Sequence, residues 1–284
     1  GNSNMSLNYR EKDALSNHII LIFLTLVILI PIIILLFNSV KPKAEFGFNP
    51  LGFPNEIRLM NYVDAFIIGN YGRVMFNSLI FVIGTLALCI TFSSMAAFSL
   101  SVLSPKGKLS TIVGVYLLVG VSIPAQLFIL PLFILWKNLH LFNTYIGLII
   151  IYTALNAPFA VFLIRSYMIK LPYELFEAAR IDGATTLQLF TKIALPLSWP
   201  VLLTSGLIVS ITVWNEFLFA VTFIHEESAR PISSILYSFQ ASFNRNNYAL
   251  ICAASIMMAA PVAILFILFQ RKFIDGLTSG ATKG

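Results

Sequence analysis

Long uncharged apolar runs dominate the pattern of hydrophobic and polar positions along the chain. Six runs have the length of about 20 residues that a helix needs to cross the hydrocarbon core of a bilayer. Because lipid offers the backbone no hydrogen-bond partners, such runs form helices, and none alternates with the period of two that a membrane barrel requires. The pattern predicts spans at about 19–40, 76–103, 109–136, 144–168, 199–223 and 248–270.

The spans predict an all-α, polytopic membrane protein with one transmembrane domain at 19–270, flanked by termini at 5–18 and 271–284. Residues 1–4 precede Met5 and are interpreted as a cloning scar. Six spans place both termini on the same side. With the termini inside, 11 of the 18 Lys and Arg residues lie in inner segments and 7 in outer ones, which favours this orientation.

The connections between the spans differ in character. The first outer loop, about 41–75, is rich in proline and glycine and is predicted to be an irregular cap outside the membrane. The connection at 171–198 lies on the inner side and is unusually long and charged. A connection between two helices needs only a few residues, so this segment is expected to have a purpose of its own.

Composition supports the membrane class and excludes others. Hydrophobic residues make up 58% of the chain and charged residues 11%, against about 25% charged in soluble proteins. The net charge of +6 is scattered rather than gathered in a basic block, which argues against nucleic-acid binding. Cys89 and Cys252 lie inside apolar runs, so they are expected to be small buried side chains rather than a disulfide or metal ligands.

The sequence lacks the motifs of the common catalytic sites. No P-loop, zincin helix or nucleophile elbow occurs, so we expect neither an enzyme nor a cofactor or metal bound by this chain. The one acidic residue inside a predicted span is Glu216, about 24 Å along the helix from Pro200. This depth lies near the outer edge of the hydrocarbon core, so Glu216 is interpreted as a structural or gating group rather than a proton carrier.

Uncharged polar residues at mid-depth suggest a path for a neutral polyhydroxylated solute and suit a phosphate or a metal ion poorly. Asn156 lies near the centre of the fourth span, and an interhelical hydrogen bond is the preferred interpretation over contact with a ligand. The candidates for a substrate path or gate are Ser122, Gln126, Asn156, Ser210, Trp214, Asn215 and Glu216.

The segment "ELFEAARIDGATTLQLFTKIALP", residues 174–196, predicts two short helices at the membrane surface. Pro172 suits the first turn of a helix, and Glu174 follows near the positive end of its dipole. Gly183 allows a sharp turn, and apolar residues at three-to-four spacing after it predict a second, amphipathic helix. This rigid platform with small alanines on its surface is interpreted as a docking site for another protein.

The residues Glu177-Ala178-Ala179 and Asp182-Gly183-Ala184, followed by Phe190 and Pro196, resemble the EAA motif of ABC importer permeases. The stretches "SIPAQLFILPLF", "LNAPFA" and "VWNEFLFA" are similar to the carbohydrate-uptake branch, in particular to the maltose-type second permease. The resemblance extends from Ile19 to Gln270 and is weakest in the first outer loop.

This resemblance implies a permease subunit that moves a sugar or oligosaccharide across the cytoplasmic membrane of a prokaryote. It implies a second permease as heterodimer partner, two cytoplasmic ATPase subunits that hold ATP and Mg²⁺, and an extracytoplasmic solute-binding protein. The residues implied in coupling to the ATPase are Glu177, Ala178, Ala179, Asp182, Gly183 and Ala184.

Two alternatives remain at this point. The first keeps the ABC importer and changes the cargo to an amino acid, a peptide or an anion. The second is an ion-coupled secondary transporter, against which the lack of charge at mid-membrane and of two similar halves argues.

Overall fold

The computed structural model describes residues 2–104, 107–241 and 247–281, so the end of the predicted C-terminus, 282–284, lies outside the described residues. In this part of the chain all regular structure is helical, which confirms the all-α fold class. The α-helices are α1 (Asn2–Ser39), α2 (Lys43–Phe48), α3 (Met60–Ile68), α4 (Tyr71–Phe98), α5 (Lys108–Ser122), α6 (Ile129–Asn138), α7 (Tyr145–Met168), α8 (Tyr173–Ile181), α9 (Thr186–Gln188), α10 (Leu195–Leu197), α11 (Trp199–Asn215), α12 (Leu218–Phe223), α13 (Ile235–Ala241) and α14 (Tyr248–Ala281).

Four stretches of helix in the described ranges are long and apolar enough to cross a membrane. They are Asn17–Ser39, Tyr71–Leu103, Tyr145–Met168 and Tyr248–Gln270. Two pairs of helices, each bent at a short break, are also long and apolar enough when the two helices are taken together. They are Ser110–Ser122 with Ala125–Asn138, and Thr186–Leu197 with Trp199–Asn215. The number of spans is therefore four, or six if each bent pair counts as one.

The predicted third and fifth spans are not straight helices. Between α5 and α6 the chain bends by 91°, where Ile123 is extended and a 3₁₀ turn at Ala125–Phe128 follows Pro124. Proline has no N–H to donate and disfavours helical backbone at the residue before it, which accounts for this bend. The fifth span is interrupted at Glu216, between α11 and α12, where no proline is present.

The chain divides into two units, which are described separately. One consists of Gly1–Gly69 with Leu236–Ala259, and the other of Asn70–Ile235 with Ala260–Gly284. In the larger unit α4, α7 and α11 pack on one another around two clusters of buried side chains. Small residues permit this close packing, as in other membrane helices. At Gly84 on α4, for example, a Cβ atom would come within 2.7 Å of the Ile149 side chain on α7.

The two buried clusters of the larger unit lie at different levels of the same helices. The first includes Phe81 of α4, Tyr152 of α7 and Val213 of α11. The second includes Phe98 of α4 and Ile164 of α7, and it also takes in side chains of the segment 171–198. This second cluster therefore connects the charged segment to three long helices.

In the smaller unit, the loop after α1 is organised around the buried side chain of Lys41. Its Nζ donates hydrogen bonds to Asn38 Oδ1 at 3.0 Å, to Asn49 O at 2.6 Å and to Gly52 O at 2.8 Å. The ammonium group has three donors, and all three are used. Asn61 Nδ2 donates to the backbone oxygens of Ser39 and Lys41, both at 2.8 Å, and closes the other side of the loop.

Glu45 of α2 is also buried in this loop and stabilises its second half. Its Oε1 accepts hydrogen bonds from Asn55 N at 2.7 Å and from Asn49 Nδ2 at 3.1 Å. The bond from the Asn55 N–H is the largest influence that holds the pKa of Glu45 below its ordinary value, although burial opposes it. The predicted irregular loop is thus an ordered structure built on polar side chains.

Replacing Lys41 tests whether its ammonium group organises the loop. Lys41→Met leaves three acceptors without a donor, and an unsatisfied buried polar group costs about 1–3 kcal/mol. We expect hydrogen–deuterium exchange in residues 43–55 to become about tenfold faster, the ratio that corresponds to about 1.4 kcal/mol. Lys43→Met, at an exposed position of the same loop, is the matched control and should leave exchange unchanged. Equal exchange in the two variants would show that Lys41 has no such role.

Candidate functional site

The segment 171–198, called here the coupling segment, is fixed to the rest of the larger unit by one face of α8. Phe176 is the buried residue of this helix, at 1% exposure, and it packs in the second cluster. Its ring lies 6.4 Å from that of Phe98 on α4, measured between centroids. Pro172 is the N-cap of α8, with φ −58° and ψ 118°, one residue before the first turn in which the sequence placed it. Glu174 and Arg180 lie at the ends of the helix that suit their charges.

The opposite face of the coupling segment is exposed and mixes charged with apolar side chains. Glu177, Ala178 and Asp182 are exposed, while Ala179 and Ala184 are half-buried against the second cluster. Two large apolar side chains point away from the protein: Ile181 is 86% exposed and Leu187 is 69% exposed. Exposed apolar side chains among charges are typical of a surface that another protein covers.

Gly183 forms the turn between the two helical parts of this segment. Its φ of +82° lies in the left-handed region. Glycine adopts this conformation readily and asparagine tolerates it, whereas other residues avoid it for steric reasons. Gly183 N donates to Arg180 O at 3.0 Å, and Ala184 N donates to Ala179 O at 2.9 Å, so the end of α8 is closed by backbone hydrogen bonds.

The second helical part begins at a capping box immediately after this turn. Gln188 N donates to Thr185 Oγ1 at 3.4 Å, and Thr185 N donates to Gln188 Oε1 at 2.8 Å. The helix continues from α9 into a π-helical stretch, Leu189–Ala194, and into α10. Short π-helical stretches inside α-helices are frequent at functional sites. The predicted second helix is present, although Pro196 lies within α10 and the chain turns by 75° only beyond Leu197.

A second polar arrangement lies at the break between α11 and α12. Glu216 Oε1 accepts a hydrogen bond from Phe219 N at 2.9 Å, and Oε2 accepts one from Ala220 N at 3.1 Å. The hydroxyl of Tyr152 on α7 donates to Oε2 at 2.9 Å. Tyr152 is only 1% exposed, so this bond links the break to a fully buried residue of the first cluster.

The carboxylate of Glu216 replaces the helical hydrogen bonds that the break removes. The first N–H groups of a helix lack partners within it, and a negative side chain is favourable at that end. Sequence reasoning selected Glu216 and missed Tyr152, because a tyrosine in an apolar run carries no signal of its own and its partner is 64 residues away.

Four other predicted path residues donate to the backbone of their own helices. The donors are Ser122 Oγ, Asn156 Nδ2, Ser210 Oγ and Asn215 Nδ2, each to the oxygen four residues earlier at 2.7–3.0 Å. For Asn156 this differs from the expected interhelical bond, since its amide reaches Tyr152 O in the same helix. An intrahelical bond satisfies the donor without a partner helix. Gln126 lies exposed in the 3₁₀ turn after Pro124.

Two cavities of the larger unit show which of these residues lie together. One of about 630 Å³ lies at the bend of the third span, with walls that include Tyr116, Pro124 and Phe159 but neither Ser122 nor Gln126. Another of about 250 Å³ lies between α4, α11 and α14 and is lined by Ser210 and Trp214. The structure thus brings Ser210 and Trp214 to one cavity and Glu216 to the break two residues beyond. Within the described residues, no three His, Cys, Asp or Glu side chains form a group that could hold a metal ion.

Comparison with known proteins gives consistent matches. The model of the family described as binding-protein-dependent transport system inner membrane component matches residues 89–276, which include the coupling segment and Glu216. The probable ABC transporter permease protein YurM of Bacillus subtilis (strain 168) is 34% identical over 269 residues, which cover 93% of this chain and 87% of that protein.

Two relatives from the same organism are named for their cargo. The arabinooligosaccharides transport system permease protein AraQ is 35% identical and covers 92% of each chain. The melibiose/raffinose/stachyose import permease protein MelC is 34% identical, over 90% of this chain and 91% of its own length.

Among solved structures, a chain of a bacterial ABC transporter involved in the import of the acidic polysaccharide alginate superposes with a TM-score of 0.78. It covers 93% of this chain and 97% of its own length at 23% sequence identity, which supports the same fold. Because the family model covers most of the chain and relatives above 30% identity cover nine-tenths of it, the chain belongs to the inner membrane components of binding-protein-dependent transport systems, the permeases of ABC importers.

Proposed function

We propose that this chain is the permease subunit of an ATP-driven importer of a sugar or oligosaccharide, coupled to a separate ATPase through the coupling segment. The observation that carries the proposal is the exposed surface of α8 and α9, which presents the EAA-type residues on a platform fixed by Phe176. Relatives named for arabinooligosaccharides and for melibiose, raffinose and stachyose support a sugar cargo. None of these relatives is named as an ion-coupled secondary transporter.

The proposal assigns the remaining parts of the importer to partner proteins. ATP and Mg²⁺ are held by two cytoplasmic ATPase subunits rather than by this chain. A second, different permease completes the membrane part, as the maltose-type resemblance implies, and an extracytoplasmic binding protein delivers the solute. Both termini and the coupling segment lie in the cytoplasm, in agreement with the distribution of Lys and Arg.

Coupling requires that movement of α8 reaches the helices around the path. The exposed face of α8 is covered by the ATPase, and its buried face moves the second cluster through Phe176. That cluster includes side chains of α4, α7 and α11, so a displacement at the cytoplasmic surface repositions all three. Well-packed interiors shift between discrete arrangements rather than deform gradually, which suits a switch between inward- and outward-facing states.

The break at Glu216 is the second element that such a switch requires. The bond from Tyr152 joins α7 to the break, while Ser210 and Trp214, within two turns before Glu216 on α11, line a cavity. Irregular backbone at membrane depth is tolerated where it is buried in protein or lines a water-filled cavity, and in transporters such breaks line the solute path. We propose that Glu216 holds this break in position. The polar surface near Glu216 then belongs to the solute path.

Two substitutions of Gly183 separate turn geometry from residue identity. Proline cannot adopt a φ of +82° and removes the N–H that donates to Arg180, whereas asparagine tolerates the left-handed conformation. We expect Gly183→Pro to lower sugar-stimulated ATPase activity and uptake of the assembled transporter more than tenfold, and Gly183→Asn to retain most of both. Membrane insertion should be equal in the two variants. Full activity of Gly183→Pro would refute the coupling role.

A double-mutant cycle measures the bond between Tyr152 and Glu216. Tyr152→Phe removes the donor, and Glu216→Gln removes the charge and one of the two acceptor oxygens. If the bond holds the break, the combined effect on the thermal stability of the purified transporter will be smaller than the sum of the single effects, with a coupling of about 0.5–3 kcal/mol. Tyr116→Phe, at a tyrosine that is 75% exposed, is the control and should change stability little. Additive effects would mean that the two residues act separately.

A further inference from the structure

A groove of about 220 Å³ lies between α5 and α7, apart from the coupling segment and from the break at Glu216. Most of its length is apolar, with Gly114 and Leu118 on α5 and Val161 and Phe162 on α7. Its polar side chains, Ser110, Thr111 and Arg165, all lie toward one end, near the start of α5 and the C-terminal part of α7. The groove is therefore amphipathic along its length.

Arg165 is incompletely paired at this polar end. Its Nη2 donates to Ser110 Oγ at 3.5 Å, the long limit of a hydrogen bond, and the Ser110 hydroxyl donates onward to Leu100 O at 2.9 Å. Arg165 Nε is buried without a hydrogen-bond partner. In the described part of the chain no carboxylate forms an ion pair with Arg165. A guanidinium group has five donors, and leaving them unpaired near lipid is costly.

The start of α5 adds positive potential at the same place. This helix begins at Lys108 with Gly107 as its N-cap, so no side chain caps it, and its first turn contains no acidic residue. The free N–H groups and the dipole of a 15-residue helix favour a negative group near this end. Arg165, the exposed Lys108 and the helix end all favour an anion, and among the described residues no carboxylate forms an ion pair with either cation.

The apolar part of the groove is open to the surroundings of the protein. Val115, Leu118 and Phe162 are 55%, 49% and 46% exposed. The volume lies below the 300–1,000 Å³ that is usual for pockets enclosing small soluble ligands. An open, narrow, apolar channel with a cationic end matches an acyl chain and its phosphate better than a soluble molecule.

The orientation of the groove determines the leaflet it faces, and this step rests on the proposed function. Arg165 lies in the last turn of α7, which ends at Met168, and the coupling segment begins at residue 171. If the coupling segment is cytoplasmic, the cationic end of the groove lies at the inner surface of the membrane. Anionic lipids of that surface are attracted to Lys and Arg near the ends of spans.

We propose that the groove between α5 and α7 binds one anionic phospholipid of the inner leaflet. Arg165 holds the phosphate by charge-assisted hydrogen bonds, together with the N-terminal end of α5, and one acyl chain lies over Gly114 between Leu118 and Phe162. Guanidinium groups suit phosphate because their donors match its oxygens in pairs. The lipid fixes α5 against the end of α7 that leads into the coupling segment, so the ATPase activity of the assembled transporter depends on anionic lipid.

Two variants disrupt the two halves of this site independently. Arg165→Gln removes the charge. Gly114→Leu fills the apolar half, since a Cβ at Gly114 has no heavy atom within 4 Å and the added side chain enters open space. The controls are Lys137→Gln, which removes an exposed cation elsewhere, and Gly72→Leu, where a Cβ is equally unobstructed.

The test is native mass spectrometry of the complete purified transporter with added phosphatidylglycerol, phosphatidylcholine or inorganic phosphate. We expect the wild type and both controls to retain one more molecule of phosphatidylglycerol than the two groove variants, Arg165→Gln and Gly114→Leu. The groove variants should bind phosphatidylglycerol at least fivefold more weakly than the wild type. Phosphatidylcholine should bind equally to all five proteins, and inorganic phosphate should not displace the lipid. Phosphatidylglycerol should also raise ATPase activity in the wild type more than in the two groove variants.

Three results would overturn the proposal. Unchanged phosphatidylglycerol binding in both groove variants would place the lipid elsewhere, and displacement by inorganic phosphate would identify a site for the free anion. Loss of the second permease from both groove variants would show that a protein covers the groove. Sugar-stimulated ATPase activity is measured in the same preparations. If the wild type shows no such activity, the proposed function is contradicted, whereas lipid binding to the groove can still be measured.

Discussion

The structure of the larger unit depends on satisfying backbone N–H and C=O groups where no water is available. Continuous helices meet this requirement by themselves, so each interruption needs a substitute partner. At the break after α11 the partner is the Glu216 carboxylate, which accepts from Phe219 and Ala220. At the exposed start of the second helical part of the coupling segment, where water is also available, the Thr185–Gln188 capping box meets the same need. The interruptions are thus stabilised by specific side chains, and the same positions carry the features assigned to gating and coupling.

The two functional regions share helices without sharing residues. Tyr152 and Ile164 lie on α7 three turns apart, one in the cluster beside Glu216 and the other in the cluster that holds Phe176. Because α7 is continuous through Pro158, a movement imposed at the coupling segment can reach the break along a single helix. On the proposed assignment, this arrangement would let the break at Glu216 respond to an ATPase bound at the coupling segment.

Sequence patterns predicted the parts of this structure that local physics determines. Apolar runs long enough for a bilayer leave the helix as the favourable structure, and Gly183 with its motif indicated a turn that the backbone shows at φ +82°. The positions of the helix breaks were harder to predict from prolines. Pro31 and Pro158 remain inside helices, while the interruption at Glu216 contains no proline. The partners of Glu216, Lys41 and Arg165 depend on contacts between separate elements or on the path of a loop, which residue spacing does not encode.

If the exposed face of the coupling segment contacts the ATPase, site-specific cross-linking in the assembled transporter will detect the contact. Cys89 and Cys252 are first replaced by alanine, and a cysteine is then placed at Ile181, which is 86% exposed, or at Tyr116, which is 75% exposed. Treated with a short cysteine-reactive cross-linker in the assembled transporter, Ile181→Cys should join to the ATPase subunit with a yield that changes on ATP binding, and Tyr116→Cys should not. Absence of the Ile181→Cys product while the ATPase remains bound, or equal products from both positions, would show that this face of the coupling segment is not the contact with the ATPase.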